Sequence, residues 1–323
     1  MSIVERALQE ALARAKSEAD ERVITPRSEG EMTLQAARPA VTHPGTPVAE
    51  EDALSLTSRD LKAIVAIDFD RLRAEGRLPT VALSTQIEDE IRRIKWPLLK
   101  AIEGADGVTA ARNNLVLVTS ALPGEGKTFT SLNLALSIVR DREMRVVLVD
   151  GDVARPGLTP SLGLEGRPGL NDALEDTSRD VSTITYQTDV EGLYFVPAGT
   201  WNPHSPEYFA GSRMPQLMDA LGRRVGRGVV IFDSPPLLAT NEAQVATRFA
   251  GQVLIVVRAD DTEQKAVLDA IALIDKDVPV SAVLNRCRPS LLGSYYGQHY
   301  YGYGHGRVNE EQHGGRAPGE GNA

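Results

Sequence analysis

Residues 121–128 read ALPGEGKT, and no other segment restricts the possible folds of the chain so strongly. The segment follows an apolar run at 115–118 and precedes the stretch TFTSLNLALSIV, whose apolar residues recur at helical spacing. A strand, a glycine-rich loop ending in Gly-Lys-Thr and a helix, in this order, are typical of a P-loop that binds nucleotide phosphates. The alternative is a glycine-rich turn that only links the strand to the helix.

The residue types in this loop suit the capture of an anion. Gly124 and Gly126 have no side chains, so successive backbone N–H groups can close around phosphates at the positive end of the following helix. Lys127 would reach the β- and γ-phosphates, and the hydroxyl of Thr128 would bind Mg²⁺. Ala121 stands where the P-loop pattern begins with glycine, which is acceptable if its φ angle is negative. The expected nucleotide contacts in the loop are Pro123, Gly124, Glu125, Gly126, Lys127, Thr128 and Phe129.

Six apolar runs alternate with helical patterns, at 115–118, 145–150, 193–198, 229–233, 252–260 and 280–285. Continuous Val, Ile and Leu without polar alternation indicate strands that are covered on both faces. Helices between such strands form right-handed crossovers, which keep the strands parallel. The sequence therefore predicts an α/β fold with a doubly wound, mostly parallel sheet and helices on both faces.

Acidic residues follow two of these runs. Asp150 and Asp152 end the run at 145–150, with Arg155 close behind, and Asp233 ends the run at 229–233. Ligands of such sheets bind at the carboxyl ends of the strands, where carboxylates can hold Mg²⁺ or accept a hydroxyl proton. The alternative role of each aspartate alone is to cap the following turn. Asn285 ends the last run, and it either contacts the adenine edge or makes a turn.

Composition and charge exclude several classes of function. The chain has 323 residues and a net charge of −9, so basic residues are too few for a general nucleic-acid surface. The lone cysteine, Cys287, rules out a disulfide framework, and we expect it to be buried in a protein of the reducing cytosol. No apolar run approaches the roughly 18 residues of a membrane span, which predicts a cytoplasmic protein.

The pattern along the chain predicts five regions. Residues 1–23 form an amphipathic helix, 24–55 a flexible linker, 56–83 a helical lead-in, 84–290 the nucleotide-binding domain and 291–323 a disordered tail. Within these regions, helices are expected at 68–75 and 84–94. The tail concentrates five of the eight tyrosines among glycines: Tyr295, Tyr296, Tyr300, Tyr301 and Tyr303. Exposed hydroxyls on such a segment could enter an active site, and the alternative is a sticky, low-complexity tail.

The chain resembles the bacterial tyrosine autokinases (BY-kinases) of capsule and exopolysaccharide export. The motifs that carry this resemblance are PGEGKT at 123–128, DGDVAR at 150–155, DSPP at 233–236 and the tyrosine tail. The N-terminal stretches SIVERAL and IDFDRLRAEG are similar to a subgroup linked to exosortase genes.

The resemblance implies an ATP- and Mg²⁺-dependent kinase that phosphorylates its own C-terminal tyrosines within a ring-like homo-oligomer. Lys127 would contact the phosphates, Asp152 and Asp233 would hold the metal, and Asp150 is the candidate base, although the roles of Asp150 and Asp152 could be exchanged. The implied partners are a separate membrane-embedded polysaccharide co-polymerase, which would keep the protein peripheral to the inner membrane, and a tyrosine phosphatase. The family's oligomerisation motif, Glu-x-x-Arg-x-x-Arg, is degenerate here: Asp89, Arg92 and Lys95.

Two other functions fit the same nucleotide-binding motifs. A partition- or division-type switch ATPase carries an additional lysine in its P-loop, and Leu122 occupies that position here. A nucleotide-binding scaffold would keep the motifs and use the tail as an interaction segment that is not phosphorylated.

Overall fold

A computed structural model describes residues 62–103, 114–141 and 144–287 of the chain. The strands in these ranges are β1 Lys62–Val65, β2 Leu115–Ser120, β3 Arg145–Asp150, β4 Tyr186–Thr188, β5 Leu193–Val196, β6 Gly228–Asp233, β7 Gln252–Arg258 and β8 Val280–Asn285. The α-helices are α1 Phe69–Ala74, α2 Ser84–Glu103, α3 Lys127–Val139, α4 Leu158–Ser161, α5 Leu170–Glu175, α6 Ser205–Ala210, α7 Arg213–Val225, α8 Asn241–Thr247 and α9 Gln264–Ile271.

The strands form one sheet in the order β1-β4-β5-β3-β6-β2-β7-β8. All neighbouring pairs are parallel except β4 and β5, which are antiparallel. The predicted mostly parallel α/β fold is therefore confirmed. The order also places β2, which leads into the P-loop, beside β6, and β6 beside β3, so the two acidic strand ends adjoin the loop.

Alternate residues of the central strands enter two separate cores, one on each face of the sheet. Leu115 and Leu117 of β2 belong to the core beneath α5 to α9, whereas Val116 and Val118 pack against the opposite set of helices. These four side chains are buried. Both faces of β2 are thus apolar, which explains the uninterrupted run in the sequence.

Helix α2 packs on α3 and holds its C-terminal end. The predicted helix is confirmed, and one face of it is apolar: Ile91 and Leu98 are buried, and Ile87 and Ile94 pack against the same core. The helix continues beyond the predicted end at 94 and through Pro97 to Glu103.

Lys95 is buried, whereas a residue of an intersubunit motif must be exposed. Its ammonium group donates to the carbonyl oxygen of Ser137 at 3.1 Å and pairs with Asp141 at 2.8 Å, so it neutralises the negative end of α3. Arg92 instead pairs with Asp89 on the helix surface. Of the degenerate motif, Asp89 and Arg92 lie on the surface, and Lys95 is an internal contact.

The structure departs from the sequence predictions in the segment before α2. Residues 68–75 contain the predicted helix, α1, which begins after Asp68 because that carboxylate accepts from the backbone N–H groups of Asp70 and Arg71. The lead-in at 56–83 was expected to be helical, yet it includes β1, which joins the sheet edge beside β4. Strand β1 has four residues and β4 has three, so both are too short to display a recognisable pattern of apolar residues.

The expectation that Cys287 is buried is wrong, because the residue is exposed where it follows β8. The described residues up to Arg286 belong to one compact unit. The predicted helix at 1–23, the linker at 24–55 and the tyrosine-bearing tail at 291–323 lie outside the described residues. In the described ranges, no helix combines the length and apolar character that a membrane span requires.

Candidate active site

The loop between β2 and α3 has the geometry that the glycine pattern predicts. Gly124 and Gly126 have φ angles of +80° and +102°, in the left-handed region that favours glycine. Within the described residues, Asp260 and Arg286 are the non-glycine residues with positive φ, so Ala121 meets its condition of a negative φ. Ala121 is also fully buried, which suits a small side chain.

The backbone N–H groups of residues 124–128 are available to a ligand. In the part of the chain that the structure describes, none of them donates to a backbone or side-chain acceptor. Five successive free donors at the start of α3, next to the positive end of its dipole, form an anion-binding site. This is the arrangement that a phosphate chain requires.

Asp233 lies at the end of β6 and forms hydrogen bonds with two hydroxyl groups of α3. Ser131 donates to its Oδ1 at 3.0 Å, and Thr128 also hydrogen-bonds to this carboxylate. Burial raises the pKa of Asp233 to about 6, although the Thr128 hydroxyl and Lys127 favour its charged form. The structure therefore joins the P-loop threonine to the predicted metal-binding aspartate.

Asp150 is fully buried at the end of β3 and holds the start of α4. Its Oδ2 accepts from the backbone N–H groups of Leu158 at 3.0 Å and Thr159 at 2.7 Å, and from the Thr159 hydroxyl at 2.8 Å. Its Oδ1 is buried without a hydrogen-bond partner. Burial, and then repulsion by Asp233, raises the pKa of Asp150 to about 7.

Asp152 is the more accessible member of the DGD pair. It is partly exposed, and its Oδ1 accepts from the backbone N–H of Arg155 at 3.0 Å. Burial raises its pKa, and the charges of Lys127 and Arg155 oppose this shift. The intervening residue must be glycine, because a Cβ atom on Gly151 would lie 2.1 Å from the Phe232 ring. The spacing thus directs one carboxylate inward and leaves the other accessible.

Burial makes ionisation of the three site carboxylates unfavourable. Asp150, Asp152 and Asp233 all have raised pKa values, and Lys127 is the cation whose charge acts on Asp152 and Asp233. Burial lowers the pKa of Lys127, whereas the surrounding carboxylates raise it. In the ranges described, no three His, Cys, Asp or Glu side chains converge as a metal cluster.

These oxygen donors nevertheless fit Mg²⁺ when a nucleotide is bound. Magnesium is usually held by one or two carboxylates together with substrate phosphates and water, and does not need a complete protein cage. Thr128 and Asp233 supply a hydroxyl and a carboxylate in contact, and the partnerless Oδ1 of Asp150 adds a buried acceptor nearby.

Other predicted site residues occupy the rim. Asn285 is close to the P-loop, and its Nδ2 donates to the carbonyl oxygen of Glu125 at 2.8 Å, while its Oδ1 accepts from the backbone N–H of Arg286. Arg155 is exposed, and Phe129 is partly exposed on α3. The Glu125 side chain is 1% exposed and accepts hydrogen bonds from Leu122 and Thr262. The five tail tyrosines lie outside the described residues.

Ser131 and Thr159 are site residues that the sequence analysis missed. Ser131 follows Thr128 by one helical turn, a spacing that places both on one face of α3, so the sequence contained a signal for it. Thr159 reaches Asp150 and also accepts from the backbone N–H of Ala198 at 2.9 Å through contacts that local sequence does not specify.

The chain is similar to several known proteins, although no family model matches its sequence. EpsB of Ralstonia solanacearum, provisionally named a tyrosine-protein kinase, is 33% identical over 266 residues, which cover 78% of this chain and 34% of EpsB. The tyrosine-protein kinase Wzc of Salmonella typhimurium is 28% identical over 258 residues, which cover 80% of this chain and 33% of Wzc. The solved tyrosine kinase domain of BceF is 26% identical, with a TM-score of 0.54 over 69% of this chain and 92% of that domain.

The chain is a homologue of the bacterial tyrosine kinases. It spans about a third of the length of EpsB and of Wzc. By contrast, it covers nearly all of the solved BceF tyrosine kinase domain.

Proposed function

We propose that the chain is an ATP-dependent protein-tyrosine kinase whose acceptors are the tyrosines at 295–303. This proposal depends on one observation. Lys127, Asp152 and the Thr128–Asp233 pair lie together beside the free backbone amides of the P-loop. Homology to proteins named tyrosine kinases supports the same activity.

The P-loop binds the phosphates of ATP through residues 124–128. The backbone donors and Lys127 surround the β- and γ-phosphates, where they stabilise charge as the phosphoryl group is transferred. Thr128 and Asp233, with Asp152 as a further oxygen donor, hold Mg²⁺, which neutralises phosphate charge when bound.

Asp152 is the carboxylate that accepts the proton from the tyrosine hydroxyl. The tyrosine oxygen forms a bond to the γ-phosphorus, the bond from that phosphorus to the bridging oxygen of ADP breaks, and the hydroxyl proton passes to the carboxylate. Asp150 is buried and already accepts three hydrogen bonds at α4. We therefore assign Asp150 a positioning role, in place of the base role that the resemblance implies.

The tail tyrosines of one subunit enter the site of another within a homo-oligomer. A ring-like oligomer would present each tail to the site of the next subunit, as the family resemblance implies. Five phosphates would add about −7.5 to −10 charges. This is comparable to the net charge of −9, so phosphorylation would weaken the assembly by repulsion.

We propose that this activity regulates polysaccharide synthesis or export, as the family resemblance implies. The activator is then a membrane-embedded polysaccharide co-polymerase that keeps the kinase at the inner membrane, and a tyrosine phosphatase reverses the reaction. The similarity to the exosortase-linked subgroup remains a prediction.

The test is to incubate the purified protein with Mg²⁺ and ATP and to map phosphate in the tail by mass spectrometry, with Lys127→Met as the control. Phosphotyrosine at 295–303 that is absent from the Lys127→Met protein supports the kinase. Steady ATP hydrolysis with an unmodified tail supports a switch ATPase instead, and nucleotide binding without turnover supports a scaffold.

A further inference from the structure

The side chain of Glu125 folds back onto the beginning of the P-loop. It is 1% exposed, although Leu122 and Gly124 of the same loop are exposed. Its Oε2 accepts from the backbone N–H of Leu122 at 2.7 Å, which closes the loop across three residues. A charged side chain that is buried inside a phosphate-binding loop has a desolvation cost, so its contacts must offset that cost.

The other carboxylate oxygen of Glu125 reaches the segment after β7. Oε1 accepts a short hydrogen bond from the hydroxyl of Thr262 and a longer one, at 3.4 Å, from the backbone N–H of Arg258. Thr262 is itself 6% exposed, so this contact is shielded from water. The P-loop is therefore connected to a loop that is 137 residues away in sequence.

A second contact joins the same residue to β8. The backbone carbonyl of Glu125 accepts from Asn285, and Asn285 packs so closely on the next residue that a Cβ on Gly126 would lie 1.9 Å from its Nδ2. Glu125 is thus held through its side chain by the β7–α9 loop and through its backbone by the end of β8.

We propose that Glu125 is a positioning residue, and that its bond to Thr262 holds the P-loop amides in the orientation that binds the phosphates of Mg²⁺·ATP. This inference rests on the proposed function only in assuming that the P-loop binds ATP. Within the described residues, the hydrogen bonds to the Glu125 carboxylate come from two backbone N–H groups and one hydroxyl. An ionised carboxylate accepts from all three, whereas a glutamine would direct its own N–H₂ group at one of these donors.

Thr262 offers a test that leaves the P-loop sequence unchanged. Thr262→Val preserves the shape of the side chain and removes the donor, and Thr262→Ser retains the donor as the matched control. We expect Thr262→Val to weaken Mg²⁺·ATP binding about tenfold, since a hydrogen bond to a charged group is lost, and Thr262→Ser to remain within about twofold of the wild type. Calorimetric titration measures both affinities, and thermal unfolding of the nucleotide-free proteins measures stability.

Glu125→Gln and the Glu125→Gln/Thr262→Val double variant complete a mutant cycle. If the two residues act as one unit, Thr262→Val weakens binding much less in the Glu125→Gln background than in the wild type. Equal affinity of the wild type and Thr262→Val, equal losses in the Val and Ser variants, or additive losses in the cycle would each overturn the inference. A wild type that binds no Mg²⁺·ATP would instead contradict the proposed function.

Discussion

Asp150 and Asp233 lie directly opposite each other on the parallel strands β3 and β6, and both carboxylates are buried. Burial and then the charge of Asp233 raise the pKa of Asp150, and burial also raises the pKa of Asp233. The two strand ends therefore store unfavourable charge at neutral pH. A site with this property is suited to receive a cation, because the cation removes the repulsion.

We predict that Asp150→Asn stabilises the metal-free protein at pH 8 and stabilises it less at pH 5. Folding raises the pKa of Asp150 from 3.8 to about 7, so its contribution to stability is fully present below pH 4 and is lost as the pH rises through 7. The neutral amide avoids that loss, and we expect a gain of about 1–3 kcal/mol at pH 8. Urea denaturation in EDTA at both pH values measures the difference, and a pH-independent difference would contradict this explanation.

Asp152→Asn should abolish most phosphoryl transfer while ATP binding remains. Removal of a general base typically lowers turnover about 10²–10⁴-fold. The measurement is single-turnover phosphotyrosine formation with saturating nucleotide, together with a binding titration. If Asp152→Asn retained full turnover and Asp150→Asn lost it, the assignment of the base would be reversed.

Gly126→Ala should eliminate nucleotide binding and displace Asn285. The new methyl group would overlap the Asn285 amide, in addition to the strain of φ +102°. Gly163 is the matched control, because it also has a positive φ, of +69°, but its Cβ would enter open space. We expect Gly163→Ala to cost about 1 kcal/mol of stability without changing ATP affinity. Similar affinities in the two variants would argue against the close contact with Asn285.

Lys95→Met should lower the free energy of unfolding by about 1–3 kcal/mol, because it leaves the Ser137 carbonyl and the end of α3 without their buried donor. Arg92→Met removes an exposed pair on the same helix, and its effect should remain within about 0.5 kcal/mol. Chemical denaturation of the two variants separates these outcomes. Equal effects would mean that Lys95 has no special role in fixing α2 on α3.

The central part of the fold could be predicted from the sequence because it depends on short-range patterns. The strand before the P-loop is apolar on both faces, and the glycines at 124 and 126 mark a backbone conformation that few other residues adopt. The same reasoning places aspartates at the carboxyl ends of β3 and β6. Local patterns of this kind do not depend on how distant segments pack.

The features that could not be predicted from the sequence depend on contacts between distant segments. The edge strand β1 has only four residues, and Ile64 within it is 66% exposed, so no periodic pattern identifies it. The different burial of Asp150 and Asp152 arises from α4 and Phe232, which approach them only in the folded chain. Lys95 resembles a surface charge in sequence, but its partner Asp141 follows the end of another helix, α3.

The most direct test of the account mixes two variants of the chain in the presence of Mg²⁺ and ATP. One carries Lys127→Met and an intact tail, and the other has an intact site with phenylalanine at the five tail tyrosines. The account predicts phosphotyrosine at 295–303 of the Lys127→Met protein, detected by mass spectrometry and absent when either variant is incubated alone. Consumption of ATP by the mixture, with both tails unmodified, would contradict it.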